Sequence, residues 1–269
     1  MLSSVAVVPQ SVLEVLPFTV RAPQPAEILA QSGAYRVRLA VDDDDRHCLY
    51  RLRFLVFNLE LHEGLDASYL DGLDRDHFDS VCDHLMVEHR ESGRIVGTYR
   101  LQTGTMAGRN IGYYSAQEFD FSCYERLRDE VVECGRACIH REFRSFEVLN
   151  LLWRGIALYS VARGGRYLVG CSSVTSQDTN LGSAMYHRLR NYLVDPELRT
   201  APSRQYGFPL ADETDEKPDP PKLLRAYLAV GARICGPPAI DREFKTIDFL
   251  TLLDLERMAP SARARYLRR

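Results

Sequence analysis

The sequence has no Cys-x-x-Cys pair, no apolar run approaching the ~18 residues of a membrane span, and no strong excess of charge of either sign. Its seven cysteines (48, 82, 123, 134, 138, 171 and 235) are odd in number, and several sit in apolar runs where a thiol behaves as a small hydrophobe. That usage argues against a disulfide framework and fits a reducing compartment. The opening residues, MLSSVAVVPQSVLEVLPF, lack the basic n-region of a secretory signal. A cytoplasmic protein is expected, with peripheral contact at the inner membrane face left open. A formal net charge of -3 and a pI near 6.2 give no global attraction for nucleic acid, and no nucleic-acid partner is expected. An anionic surface would have to be met by a local patch, for which Arg263, Arg265, Arg268 and Arg269 are the best candidates.

What is present is an ordinary globular composition, 45% hydrophobic and 26% charged over 269 residues, enough for a real core. Residues 1–33 carry several prolines and no clear period, and read as an arm. In YRVRLAV, Tyr35, Val37, Leu39 and Val41 alternate with Arg36, Arg38 and Ala40 as in a half-buried strand. Asp42 to Asp45 then open a helix. Four consecutive aspartates invite a metal site, but an N-cap with an acidic first turn explains them, and no metal is expected. DHLMVEHR (83–90) and RIVGTYRLQT (94–103) read as a hairpin turned at Glu91-Ser92-Gly93. A strand follows at EVVECGRACIHREFR (130–144), then a helix with Phe146, Leu149, Leu152, Trp153, Ile156 and Tyr159 at helical spacing, stopped by Gly164-Gly165. RYLVGCSSV, LGSAMYHRLRNYLV, PKLLRAYLAVGA and TIDFLTLLDL read as strand, helix, helix and strand, with a proline-rich loop or lid over 201–221. The order implies one α/β (α+β) domain over 34–255, a mixed sheet with helices packed on it, and an arginine-rich tail over 256–269.

Four pieces carry chemistry: Arg53-x-x-x-Phe57 on the first helix, Asp76-x-x-Asp79 before the second strand, Arg100 on the third strand, and Glu133-x-x-Arg136 on the fourth. Taken singly, each fits a structural role as a snorkelling arginine, a turn, or the polar face of a sheet. Their joint order resembles the carrier-protein-dependent branch of the GNAT acyltransferase superfamily. That branch holds the acyl-homoserine-lactone synthases, the N-acyl amino acid synthases and the ornithine-lipid (lyso-ornithine lipid) synthases. The homoserine-lactone synthases show R-x-x-x-F, D-x-x-D, G-S-x-R and E-x-S-R; GTYR, ending at Arg100, and ECGR, from Glu133 to Arg136, match the last two. The later segments LLWRGIALYSVARGGRYLVGCSSV and PPKLLRAYLAVGARICGPPAIDREFKTIDFLTLLDL are most similar to the ornithine-lipid synthases, so the resemblance spans about residues 34–255.

The resemblance implies a GNAT fold: a mixed, mostly antiparallel twisted sheet with helices on both faces. One departure is informative. Acetyl-CoA-using members carry a Q/R-x-x-G-x-G/A loop whose backbone N–H groups grip the pyrophosphate, whereas REFRSFEV stands here without a glycine. A phosphopantetheine arm has a single phosphate, so acyl carrier protein fits as donor better than acyl-CoA, and no bound cofactor is expected. The turn after the strand would receive that arm, which assigns Ile139, Arg141, Arg144 and Ser145 to donor binding, with Trp153 on the acyl side.

The amine sets the remaining requirements. A protonated α-amino group cannot attack a thioester, and Glu133, a carboxylate on a mostly apolar strand, is the candidate base, with His140 as its rival. Arg136 either pairs with Glu133 or with Asp76 or Asp79 to hold the acceptor loop. Arg100 or Arg53 can take the acceptor's carboxylate, and the backbone N–H groups around Ile139 and His140 can serve the oxyanion. Arg141, Arg144, Arg188, Arg190, Arg163 and Arg166 offer a dock for an acidic carrier protein. Cys134 and Cys138 have no adjacent base, which disfavours a covalent route. The expected activity is transfer of a fatty acyl group, 3-hydroxylated or not, from acyl carrier protein to the α-amine of an amino acid, ornithine by resemblance, giving a lyso-ornithine lipid. A homoserine-lactone synthase and a non-catalytic acyl-carrier or lipid-binding protein are the rival readings.

Overall fold

The computed structural model describes residues 28–212 and 217–267. Among them nine strands form one sheet in the order β1-β2-β3-β4-β5-β6-β9-β7, where β7 is Arg233–Ile234 and β8 (Ala239–Asp241) also pairs with β9; α2 (Gly104–Arg109), α4 (Thr179–Leu189) and α5 (Lys222–Val230) stand among the helices α1 to α6. The expected arm lies for the most part outside the described residues, but its end is β1 (Ile28–Ser32), paired antiparallel with β2 (Tyr35–Leu39). The sheet therefore begins before residue 34. Asp42 caps α1 (Asp43–Phe54), its side chain accepting the Asp45 N–H at 2.9 Å. Asp45 turns back to Arg38 at 2.6 Å, so the aspartate run is a helix start braced against β2. β3 (Asp83–His89) and β4 (Ile95–Thr103) form the expected hairpin, where Gly93 takes a φ of 67° that an L side chain resists.

The pleat assigns the two faces. Leu85 and Val87 enter a core beneath α3 (Phe146–Ala162) with Leu151, Leu152, Ile156 and Tyr159, while Met86 between them joins Leu52 and Val56 of the α1 region. The two helices thus cover opposite faces, giving the mixed sheet of the expected fold. The tail is also folded: α6 (Pro260–Tyr266) buries Ala262 and Tyr266, and Tyr266 meets Trp153 of α3 edge-on at 5.8 Å. Arg263 spends a guanidinium N–H on the Leu255 carbonyl, and Arg265 lies over Phe146. The 256–267 part of the expected tail is thus a docked segment in which Arg263 and Arg265 stay exposed; Arg268 and Arg269 lie outside the described residues. The first part of the proline-rich loop is likewise tied down, Ile240 N–H donating to the Tyr206 carbonyl at 2.8 Å. No helix among the described residues is long and apolar enough to cross a membrane.

The feature that positions the site is the only parallel pairing between named strands. β5 (Val131–Ile139) meets β6 (Tyr167–Val174) over three residue pairs, ending at Glu133 opposite Val169. The next residue on β6, Gly170, lies so close to the Cys134 carbonyl oxygen that a Cβ there would overlap it. Beyond it β5 continues with β4 alone, and β6 with β9 (Thr246–Asp254). We predict that Gly170→Ala destabilises the protein by about 1–3 kcal/mol, as overpacking does. A melting temperature unchanged from wild type would show that the close approach is not needed.

Candidate active site

β5 carries a bulge: Arg136 and Ala137 stand between the pairs Thr98 with Cys138 and Arg100 with Gly135. Arg136 has a φ of 52°, a conformation that costs a non-glycine residue on the order of 1 kcal/mol, and it is held there by a salt bridge to Asp76 at 2.5 Å. The sequence left two partners open for Arg136. The structure selects Asp76, not Glu133. Asp76 also takes Arg100 at 2.6 Å, and Asp79 takes Arg53 at 2.7 Å and Arg100 at 3.2 Å. Asp74 completes the group on Arg53 at 2.7 Å. Three guanidinium groups and three carboxylates are thereby enclosed together. Asp76 and Asp79 also close a capping box on the short helical turn His77–Ser80, which fixes the acidic side. Although burial opposes it, the arginines hold both carboxyls below the ordinary range.

Glu133 is 5% exposed and receives two backbone hydrogen bonds, from Tyr114 N–H at 2.8 Å and Ser115 N–H at 2.7 Å. Burial raises its pKa, partly offset by those donors. Each carboxylate oxygen keeps a second lone pair.

This carboxylate lines one of two neighbouring cavities. A polar one of about 260 Å³ is lined by Glu133, Arg100, Arg136, Gln102, Tyr114 and Phe57 together with Asp241 and Asp248. An apolar one of about 90 Å³ is lined by Trp153, Ile156, Ala157, Leu253, Met258 and Tyr266. They share Tyr99, Cys134, Cys171, Ser172 and Tyr227 as walls, and the hydroxyls of Tyr99 and Tyr227 touch. Gln102 pairs with Glu133 across the sheet, two residues on from Arg100. By the pleat, this places the carboxylate with Arg100, whereas Val132 faces α3. The polar cavity thus serves the α1 face and the apolar cavity the α3 face, and they meet where β5 and β6 part.

Of the residues expected to contact substrate, Glu133, Arg136, Arg100 and Phe57 line the polar cavity and Trp153 the apolar one. Arg53, Asp76 and Asp79 are not in its wall; they stand behind Arg100 and Arg136 and fix their orientation. His140 is corrected as a rival base, because it lines neither cavity and its Nδ1 accepts the Glu142 N–H at 3.3 Å. Its backbone N–H goes to the Val96 carbonyl, which removes it as an oxyanion donor and leaves Ile139 N–H on the edge of β5 turned away from β4. Ser145 caps α3 through the Val148 N–H. Arg144 is bidentate to Glu60 at 2.6 and 2.9 Å, and Arg141 is exposed. Arg144 and Arg163 flank opposite ends of α3, about 25 Å apart by the helical rise, so these two do not share one patch. Arg163, Arg166 and Arg188 each also face a carboxylate. Cys134 and Cys138 are buried thiols whose pKa burial raises, unsuited as nucleophiles.

Sequence reasoning missed Tyr114 and Ser115, because nothing in a connecting segment shows which strand its N–H groups will cap. It also missed Asp248, although an acid between Ile247 and Phe249 is the same signal that drew attention to Glu133.

Over 255 residues the chain is 32% identical to the L-ornithine N(alpha)-acyltransferase of Brucella abortus (strain 2308), covering 87% of this chain and 89% of the relative. The chain belongs to the L-ornithine N(alpha)-acyltransferase family. The relative of that name from Rhodobacter capsulatus is 27% identical over 248 residues, covering 88% of this chain and 96% of its own. The family described as Acetyltransferase (GNAT) domain matches residues 52–154. The solved structure of the AHL synthase LasI shares the fold with a TM-score of 0.52 at 13% identity, over 86% of this chain and 94% of that one. In this acyltransferase the matched segment runs from α1 to α3 and includes the whole Arg–Asp cluster.

Removing Arg53 leaves Asp79 with Arg100 alone at 3.2 Å and Asp74 with only the more distant Arg136 at 3.9 Å, and Arg53→Ala is expected to cost about 3–5 kcal/mol at neutral pH. In the intact protein the lowered pKa of Asp79 stabilises the fold above the unfolded value and loses that effect as pH falls. In the variant Asp79 keeps Arg100 but loses Arg53, so its carboxyl is held down less, less is lost on acidification toward pH ~4, and the deficit shrinks. Urea denaturation at both pH values checks this; a deficit that widens on acidification would contradict it.

Proposed function

We propose that the protein moves a fatty acyl group, with or without a 3-hydroxyl, from acyl carrier protein to the α-amine of ornithine, forming a lyso-ornithine lipid in the cytoplasm. The observation that carries this reading is Glu133 in the wall of a polar cavity that shares Cys134, the next residue of the strand, with an apolar cavity. The names of the relatives support ornithine as acceptor.

The amino acid occupies the polar cavity with its carboxylate toward Arg100 and Arg136, whose planar groups suit a carboxylate. Both guanidiniums lie near the face of Tyr114, at 5.0 and 5.4 Å, which limits their movement. The acyl chain enters the apolar cavity beside Trp153. Glu133, directly or through one water, accepts a proton from the ammonium, and the freed amine attacks the thioester carbon. The C–N bond forms, the C–S bond breaks, and the sulfur leaves on the pantetheine arm and takes up a proton. Backbone N–H on the free edge of β5, at Ile139 among others, lies on the arm's path. A carrier protein suits the glycine-free start of α3 better than CoA does, because the turn Arg141–Phe143 has side chains where a pyrophosphate needs bare backbone.

The test is mass spectrometry of the purified protein with ornithine and either acyl-acyl carrier protein or acyl-CoA. N-acylornithine is expected from the carrier-protein donor. Glu133→Gln is expected to lower kcat by about 10²–10⁴ while the variant still binds ornithine. A product formed only with S-adenosylmethionine, or thioester consumption untouched by Glu133→Gln, would defeat the reading.

A further inference from the structure

The wall of the polar cavity built by β8 (Ala239–Asp241) and β9 carries a feature the transfer chemistry does not use. Asp241 pairs with Thr246 across the two strands, and Asp248 follows Thr246 by one pleat repeat, so all three side chains share a face. They are 5%, 2% and 4% exposed. Glu118, 2% exposed, lies behind, with ligand atoms of Glu118, Cys171 and Asp248 within 4.8 Å of one another. Among the described residues no arginine or lysine forms a salt bridge with any of these three acids. Their polar atoms are only partly satisfied. Asp241 Oδ1 accepts from Glu243 N–H at 2.7 Å and Phe244 N–H at 3.0 Å, and Asp248 Oδ2 accepts from the Thr246 hydroxyl at 3.3 Å. Asp248 Oδ1, buried on the cavity wall, has no hydrogen-bond partner.

Buried acids without a counter-ion are costly unless a cation arrives or they hold protons. Burial and mutual repulsion raise the Glu118 carboxyl well above its ordinary value and bring Asp248 to about 6. Such a cluster is an unfilled cation site in the cavity where Arg100 and Arg136 supply the opposite charge from β4 and β5. We propose that Asp248 and Asp241 on the cavity wall, backed by Glu118, receive the side-chain ammonium of the acceptor, making the cavity specific for a diamino acid. A primary ammonium has three donors in a compact head and no acceptor, which matches an orphaned carboxylate oxygen flanked by two further acids. Phe244, in the turn that Asp241 holds, packs over Arg136 at 4.1 Å, so the same turn joins the carboxylate end of the cavity to its ammonium end. The proposal rests on the reading of the protein as an amino acid N-acyltransferase and adds the determinant that selects among amino acids.

The experiment compares ornithine with norvaline, which keeps the carbon chain and lacks the δ-amine. Wild-type kcat/KM is expected to favour ornithine by at least on the order of 10²-fold, because norvaline leaves the buried carboxylate unmet. Asp248→Asn is expected to raise KM for ornithine and collapse that preference while norvaline turnover persists, which shows the variant folded and active. Asp241→Asn, which keeps the Oδ1 acceptor, is expected to reduce the preference in the same direction by less. Equal use of both amines by wild type, or a preference unchanged in Asp248→Asn, overturns the inference and leaves the acyltransferase reading standing. Acylation of neither amine overturns both. A preference lost on chelation and restored by Zn²⁺ would instead make Glu118, Cys171 and Asp248 metal ligands, and would also overturn it.

Discussion

The site depends on one constraint: β5 and β6 pair in parallel for three residues and then separate. Glu133 is the last residue of that pairing, so a carboxylate that would be intolerable in a closed sheet stands where the sheet opens. The opening has a packing cause on each side. Gly170 lets β6 pass against the Cys134 carbonyl, and the bulge at Arg136 turns β5 toward Asp76. Where the strands part, Cys134, Cys171 and Ser172 line both a polar cavity on one face of the sheet and an apolar cavity on the α3 face. Glu133 lines the polar cavity, and the next residue, Cys134, lines both.

The Arg–Asp cluster supports this opening. Burying three guanidiniums and three carboxylates adds little net stability over apolar packing, and the hydrogen bonds from Arg53 to Asp74 and Asp79 recover part of the desolvation cost. What the cluster provides is direction. Arg53 anchors the acids, the acids hold Arg100 and Arg136, and those two present fixed guanidiniums to the cavity. The opposite wall is built the other way, with Asp241, Asp248 and Glu118 left without a cation. The cavity is therefore polarised along its length, and that polarity belongs to the arrangement of the chain rather than to its net charge of -3.

Much of this was legible in the sequence because it is local or periodic. The hairpin at Gly93, the helix at Trp153 and the aspartate cap of α1 follow from turn chemistry, spacing and capping. The four charged motifs kept the order of a known family, which brought Glu133, Arg136 and Arg100 to one cavity before any coordinates. What escaped was set by long-range pairing. Whether Arg136 meets Glu133 or Asp76 depends on a bulge whose register no local pattern reveals. His140 lies seven residues beyond Glu133, yet the turn it caps carries it away from both cavities. Arg144 and Arg163 looked like parts of one patch in one dimension because sequence order does not show that α3 separates them. The strand β1 and the helix α6 escaped because five-residue and seven-residue elements carry too little period to announce themselves.

The central claim is that the two cavities hold the two substrates on either side of Glu133. A crystal structure of the protein with its N-acylornithine product tests it most directly. The expected result places the amide beside Glu133, the carboxylate on Arg100 and Arg136, and the acyl chain against Trp153, Ile156 and Tyr266. An acyl chain lying outside the α3 cavity, or an amide remote from Glu133 with the protein otherwise unchanged, would contradict the account.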